Sequence, residues 1–252
     1  MITLASLSML VNRQAANVSA SSTQAIARSS AGAVDQGAKK TEGSSTISSL
    51  AQQLSESAAR AEVRDASLSR KELGMKAVGL LGQITGDDYF AKKAHHDAEV
   101  PNTDDPELLA RAREATEHVS GNGANPFAGL SRHQLALITY DTSGAFTVNE
   151  RRAAWSEAFD QESTWRQKVV ARAWDEINAT GKLTNFFSAV LDHYESLPGI
   201  EQVQYPSSYR AQLQGWIDLD FNYWTHSAEG RGSPQSVLDK ILDRSAFSEP
   251  KS

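Results

Sequence analysis

From Thr46 onward the large apolar residues recur every three to four positions, and no stretch shows a sustained two-residue alternation. A chain patterned this way buries stripes of helices rather than faces of strands, so an all-α fold is expected. Ile47, Leu50, Ala51, Leu54, Ala58 and Ala61 share one face of a helix running to about Ser67. Ser69 with Glu72 three residues on reads as a capping box opening a helix over Arg70–Ile84. Leu73, Ala77, Leu80, Leu81 and Ile84 line its inner face, while Gly74, Gly79 and Gly82 weaken it by up to ~1 kcal/mol each. Asp87–Glu99 reads as a short polar helix. Asp105-Pro106 is a cap and first helical residue for a helix to about Val119. Ser207–Trp224 places Tyr209, Leu213, Trp216, Ile217, Asp220 and Phe221 at helical spacing, and Gln235–Arg244 is a last short helix.

Residues 1–46 are of another kind. They are rich in Ser, Ala and Gly, carry almost no large apolar residue after Val11, and meet their first acidic residue at Asp35. Such a segment cannot bury enough surface to offset its ordering entropy, so it is expected to be a disordered tail. Three roles fit: a plain terminus, an organellar transit peptide, or an export signal. The Ser-rich, acid-poor start with Leu4 resembles type III secretion signals of plant-associated bacteria. No basic region precedes the mildly apolar Ile2–Val11, so a Sec signal peptide is not expected. The expected division is a tail at 1–46, a helical region at 47–122, a second helical region at 126–228, and a C-terminal segment at 229–252. Gly121–Pro126 is the candidate boundary between the two helical regions.

Composition removes several classes of function. Lys+Arg is 25 against 31 Asp+Glu, a net charge of -6, which argues against a nonspecific nucleic-acid coat. The absence of cysteine excludes disulfides, thiolate nucleophiles, cysteine-held zinc and iron–sulfur clusters. No apolar run approaches the roughly 20 residues of a membrane helix, so no membrane span is expected. The Ser residues sit in no G-x-S-x-G elbow, and there is neither a phosphate-binding P-loop nor a strand-linked G-x-G-x-x-G.

The most informative motif is a repeated loop. Tyr140-Asp141-Thr142-Ser143-Gly144-Ala145-Phe146-Thr147-Val148-Asn149-Glu150 and Ile177-Asn178-Ala179-Thr180-Gly181-Lys182-Leu183-Thr184-Asn185-Phe186-Phe187 share a hydroxyl residue, Gly, any residue, a large apolar residue, then Thr. Their glycines lie 37 residues apart, and each loop is flanked by helical patterns. Over roughly residues 130–197 the chain therefore resembles the EF-hand family, whose paired helix–loop–helix units carry calcium loops with a glycine at position 6.

The resemblance implies a Ca2+ site formed by Thr139, Asp141, Ser143, the Ala145 carbonyl, Thr147 and Glu150, with Phe146 at the position that bridges paired loops. The second loop would offer Glu176, Asn178, Thr180, Lys182 and Thr184, but Phe187 stands where the family has its bidentate Glu. Thr139 replaces the acidic first ligand of loop one. Two carboxylates in one loop and one in the other imply a dissociation constant of order 10⁻⁴ M or weaker for the first, with the second empty. Thr147-x-x-Glu150 is equally an ordinary capping box, with Asp141–Gly144 a plain turn before it.

Between the loops Trp155, Phe159, Val169, Val170, Ala173, Trp174 and Ile177 share a face, bordered by Trp165, and the tryptophans are expected in the core. Glu162 and Arg166 fall on the same face. Burying that pair in one continuous helix is costly or neutral, so a break near Asp160–Ser163, capped by Ser163, is expected. His95-His96-Asp97-x-Glu99 reads as a solvated polar helix rather than a metal site. Asp218–Trp224 reads as a groove lining or an amphipathic helix end.

The body also resembles bacterial proteins of unassigned activity. The expected function is that of a non-enzymatic helical protein with a weak or vestigial calcium loop pair, regulatory or structural. The alternative is an exported bacterial effector acting by contact with a partner protein. The expected location is the bacterial cytoplasm, or outside it after export without a Sec signal.

Overall fold

The computed structural model describes residues 48–230, so the tail at 1–46 and the helix at 235–244 lie outside the described residues. Within them the chain is all-α apart from one two-residue hairpin. The helices are α1 (Ser49–Ser67), α2 (Arg70–Thr85), α3 (Asp87–Ala91), α4 (Lys93–Asp97), α5 (Pro106–Val119), α6 (Arg132–Thr139), α7 (Val148–Thr180), α8 (Thr184–Ser196), α9 (Gly199–Gln202) and α10 (Tyr209–Leu219). The hairpin pairs β1 (Phe221–Asn222) with β2 (Ser227–Ala228) in antiparallel register.

Local chemistry sets most of the helix starts. Ser69 accepts from the Glu72 amide while Glu72 reaches back to the Ser69 amide, completing the expected box at α2. Asp105 caps α5 with Pro106 in its first turn. Ser131 with Gln134 and Thr147 with Glu150 box the starts of α6 and α7. Each box satisfies donors that a helix start would otherwise leave open.

The structure corrects four expectations. First, the break near Asp160–Ser163 is absent: α7 runs unbroken for 33 residues, about 50 Å at 1.5 Å per residue. The cost expected for Glu162 and Arg166 is met by two further partners, His193 and Arg132, rather than by breaking the helix. Second, the polar helix over 87–99 is two short ones, interrupted at Lys92. Third, the helix over 207–224 stops at Leu219. Asp220 takes a left-handed conformation (φ 45°) there, its carboxylate held by Lys182 and Thr184, and the chain turns into the hairpin. Fourth, the apolar face of α7 is not all core. Val169 is buried, but Phe159, Val170 and Trp174 are exposed, Trp174 at 51%.

Apolar burial falls into three clusters. The first joins α1, α5, α6 and α7 through Leu54, Ala115, Leu135, Ile138, Ala153, Ala154 and Ala158, with Phe127 and Phe146 from the loops. The second joins α2, α6 and α9 through Leu73, Ala77, Leu80, Ala136, Tyr140 and Ile200. Helix α6 thus serves both, with Leu135 and Ile138 on one side and Ala136 on the other. The third, around Phe187, Leu191, Tyr194 and Leu213, packs α8 on α10 and meets α7 at Ala173 and Ile177. Residues on both sides of Gly121–Pro126 contribute to the first cluster.

Candidate functional site

Each of the two loops lies between helices, but one helix serves both, so the two separate helix–loop–helix units that the expected break would have made are not formed. The first loop joins α6 to α7 and the second α7 to α8, with Gly144 (φ 84°) and Gly181 (φ 75°) in matching left-handed conformations. Because α7 is continuous, the loops sit at its opposite ends. Phe146 belongs to the first core cluster and Leu183 to the third, and among the described residues the only strand pairing is the β1–β2 hairpin.

The first loop brings its six named residues together around internal partners. Thr139 closes α6, and its carbonyl accepts from Arg151 Nε at 3.1 Å. Asp141 Oδ1 accepts from the Ser143 amide (2.7 Å) and hydroxyl (2.6 Å), an Asx turn. Its Oδ2 accepts from Ser57 Oγ (3.0 Å) and from Arg60 Nε (3.2 Å) and Nη2 (2.8 Å). The Ser143 hydroxyl accepts from the Ala145 amide, and the Ala145 carbonyl accepts from Gln53 Nε2 at 3.2 Å. Thr147 and Glu150 form the box that starts α7, and the other Glu150 oxygen accepts from Arg111 Nε at 2.7 Å. Glu150 is fully buried, and the Arg111 guanidinium stands over the rings of Phe127 (5.8 Å) and Phe146 (5.2 Å).

Every oxygen that the family resemblance assigns to calcium is thus engaged by the chain, with the hydroxyl of Thr139 as the exception. That hydroxyl is buried without a hydrogen-bond partner among the described residues, as is Arg151 Nη2. Guanidinium groups stand on both assigned carboxylates, Arg60 on Asp141 and Arg111 on Glu150, and Arg151 bonds the backbone carbonyl of Thr139. Burial pushes the Asp141 carboxyl up, but the bonds from Ser143, Arg60 and Ser57 outweigh it and hold the group below the usual carboxylate range. Among the described residues no group of three or more His, Asp or Glu side chains is arranged to hold a metal ion.

The second loop is built differently. The Glu176 carboxylate accepts from the amides of Asn185 (2.8 Å) and Phe186 (2.9 Å), capping the start of α8. Lys182 is paired with Asp220 and Glu229, and Phe187 is buried in the third cluster. A side chain at Gly181 would collide with Asn222 and Trp224, whereas a Cβ at Gly144 would meet nothing among the described residues.

Of the histidine stretch, His96 is buried against Tyr89 (rings 5.3 Å apart, nearly parallel), and burial pushes its pKa down. Glu99 caps the amide of Val148 at the start of α7.

A second charged cluster escaped the sequence reading. Glu162, on α7, accepts from His193 Nε2 (2.8 Å) and Arg166 Nε (3.0 Å), and Arg132 stands 3.6 Å away. Arg132 also pairs with Glu201 at 2.7 Å, and the His193 ring stacks on Trp165 at 3.6 Å. Burial pushes Glu162 up, yet His193, Arg166 and Arg132 more than reverse this and hold its pKa at about 2. Glu201 is pushed up by burial, which its pairing with Arg132 only partly offsets. The i, i+4 spacing of Glu162 and Arg166 was the only local signal of the cluster, because His193 and Glu201 come from distant helices.

No protein-family model, curated protein or solved structure matches this chain.

Proposed function

We propose that this is a non-enzymatic helical protein whose Thr139–Glu150 loop is the vestigial, structural form of a calcium loop. Arginine side chains supply the positive charge that a cation would bring. The observation that carries this reading is the pairing of both loop carboxylates with internal guanidinium groups, Arg60 on Asp141 and Arg111 on Glu150. A calcium ion would have to displace those contacts and leave a buried arginine without its acid, a loss of several kcal/mol. In this role the loop clamps α1, α5, α6 and α7 together through Ser57, Arg60, Gln53 and Arg111.

The test is a calorimetric calcium titration of the full chain, with tryptophan fluorescence followed alongside. The expected outcome is no saturable response up to millimolar calcium and no change in melting temperature. Saturation in the micromolar range would overturn the structural reading and make the loop a sensor.

A second reading, an exported effector that works by binding a partner protein, is favoured by the exposed Phe159, Val170 and Trp174 along α7. It predicts that residues 1–50 carry a fused reporter out through a type III apparatus. Retention of the reporter in secreting cells would sink it.

A further inference from the structure

The oxygens of the first loop are turned inward, but the outer side of Asp141 borders a cavity. Residues Ser57, Arg60 and Arg64 of α1, Lys76 of α2, and Tyr140 and Thr142 after α6 line a space of about 60 Å3. A water needs about 10–15 Å3 of such space, so the cavity takes a few waters or one tetrahedral ion.

The donors around it are only partly used. Arg60 directs Nε and Nη2 to Asp141 and Ser57, while its Nη1 stands a loose 3.9 Å from the exposed Glu56. Arg64 directs Nε to Asp65 and Nη1 to the Tyr140 carbonyl, and its Nη2 makes no hydrogen bond among the described residues. Lys76 makes no ion pair among the described residues, nor does the Thr142 hydroxyl make a hydrogen bond there. Asp141 is the one carboxylate in the lining. Its side chain is 3% exposed and already accepts from Ser143, Ser57 and Arg60. The cavity therefore presents spare N–H donors of Arg60 and Arg64, each already paired with a carboxylate, and the Lys76 ammonium, which has no ion-pair partner among the described residues.

We propose that this cavity is an oxyanion site, taking one phosphate- or sulfate-like group between Arg60, Arg64 and Lys76. Two guanidinium groups offer directed N–H donors to tetrahedral oxygens, and the lysine adds a point charge from the facing helix. The ligand would tie α2 to α1, two helices that pack in different core clusters and share only α6 between them. The site rests on the structural reading of the loop to the extent that Asp141 must stay paired with Arg60 for the cavity to remain cationic.

The experiment is a calorimetric titration of the full chain with inorganic phosphate at low ionic strength, repeated for Lys76→Gln, Lys76→Glu and the control Lys71→Gln. Lys76 is exposed, so its variants should fold, which circular dichroism checks. Saturable binding is expected, weakened roughly tenfold by Lys76→Gln, lost in Lys76→Glu and unchanged in Lys71→Gln. A parallel titration with O-phosphoserine separates the sources: comparable binding marks a phosphorylated side chain as ligand, and binding of the inorganic ion alone marks a free anion. No saturation at millimolar phosphate, or binding indifferent to Lys76→Glu, overturns the site. Saturation by calcium would overturn the structural loop instead, and the two titrations report separately.

Discussion

Glu150 has no contact with solvent, and its charge is answered by Arg111 at 2.7 Å. Removing one member of a buried pair strands the other, so Arg111→Met should cost about 3–5 kcal/mol. The double change Arg111→Met with Glu150→Gln should cost less than Arg111→Met alone, because no unpaired charge remains. Urea unfolding of the two variants checks this, and equal losses would mean that the pair is incidental to the fold. The half of this arrangement that lies within four residues was legible in the sequence, since Thr147 and Glu150 announce a capping box. The other half was not. Arg111 sits 39 positions from Glu150 and Arg60 sits 81 from Asp141, and no local pattern marks an arginine as the partner of a distant acid.

At the scale of elements, α7 decides what the repeated loops can be. Its continuity separates them, and Ser163, expected to cap a second helix, lies inside the helix instead. Ser163→Ala should therefore change stability by no more than about 0.5 kcal/mol. Ser163→Pro should cost about 3 kcal/mol or more, because it removes an internal hydrogen bond and clashes with the preceding turn. Equal, small effects in a urea titration would show that the helix is interrupted there in solution. Helices α2 and α5 could be read to within a residue or two because their caps are encoded beside them in Ser69, Glu72, Asp105 and Pro106. The course of α7 through Glu162 could not, because what makes a buried glutamate tolerable there comes from α6 and α8.

For the molecule as a whole, acid should act mainly through paired carboxylates. Glu162 is held at about 2 and Asp141 below the usual range, so each contributes stability that is present above its unfolded pKa. That contribution is lost as pH falls through the folded value. Glu201 has the opposite sign: its raised pKa makes it a small liability as pH rises through the ordinary carboxylate range. Asp160 is raised too, but the lowered carboxylates, which also include Glu72, Asp97, Asp105, Asp220 and Glu229, outnumber the raised ones among the described residues, so the melting temperature should fall between about pH 4.5 and pH 2. Glu162→Gln should flatten that part of the curve. A profile unchanged by the substitution would place the acid sensitivity elsewhere.

The unbroken length of α7 also restricts how the chain can change in length. Each residue added to or removed from its middle would turn one end about 100° against the other and shift it by about 1.5 Å. The first core cluster grips its N-terminal half at Ala153, Ala154 and Ala158, and the third touches its C-terminal end at Ala173 and Ile177. A change of about seven residues would nearly restore the phase, but it would carry one grip about 10 Å away from the other, so both grips hold only at one length. In relatives of this chain, insertions should therefore gather in the loops and leave this shaft at a fixed count.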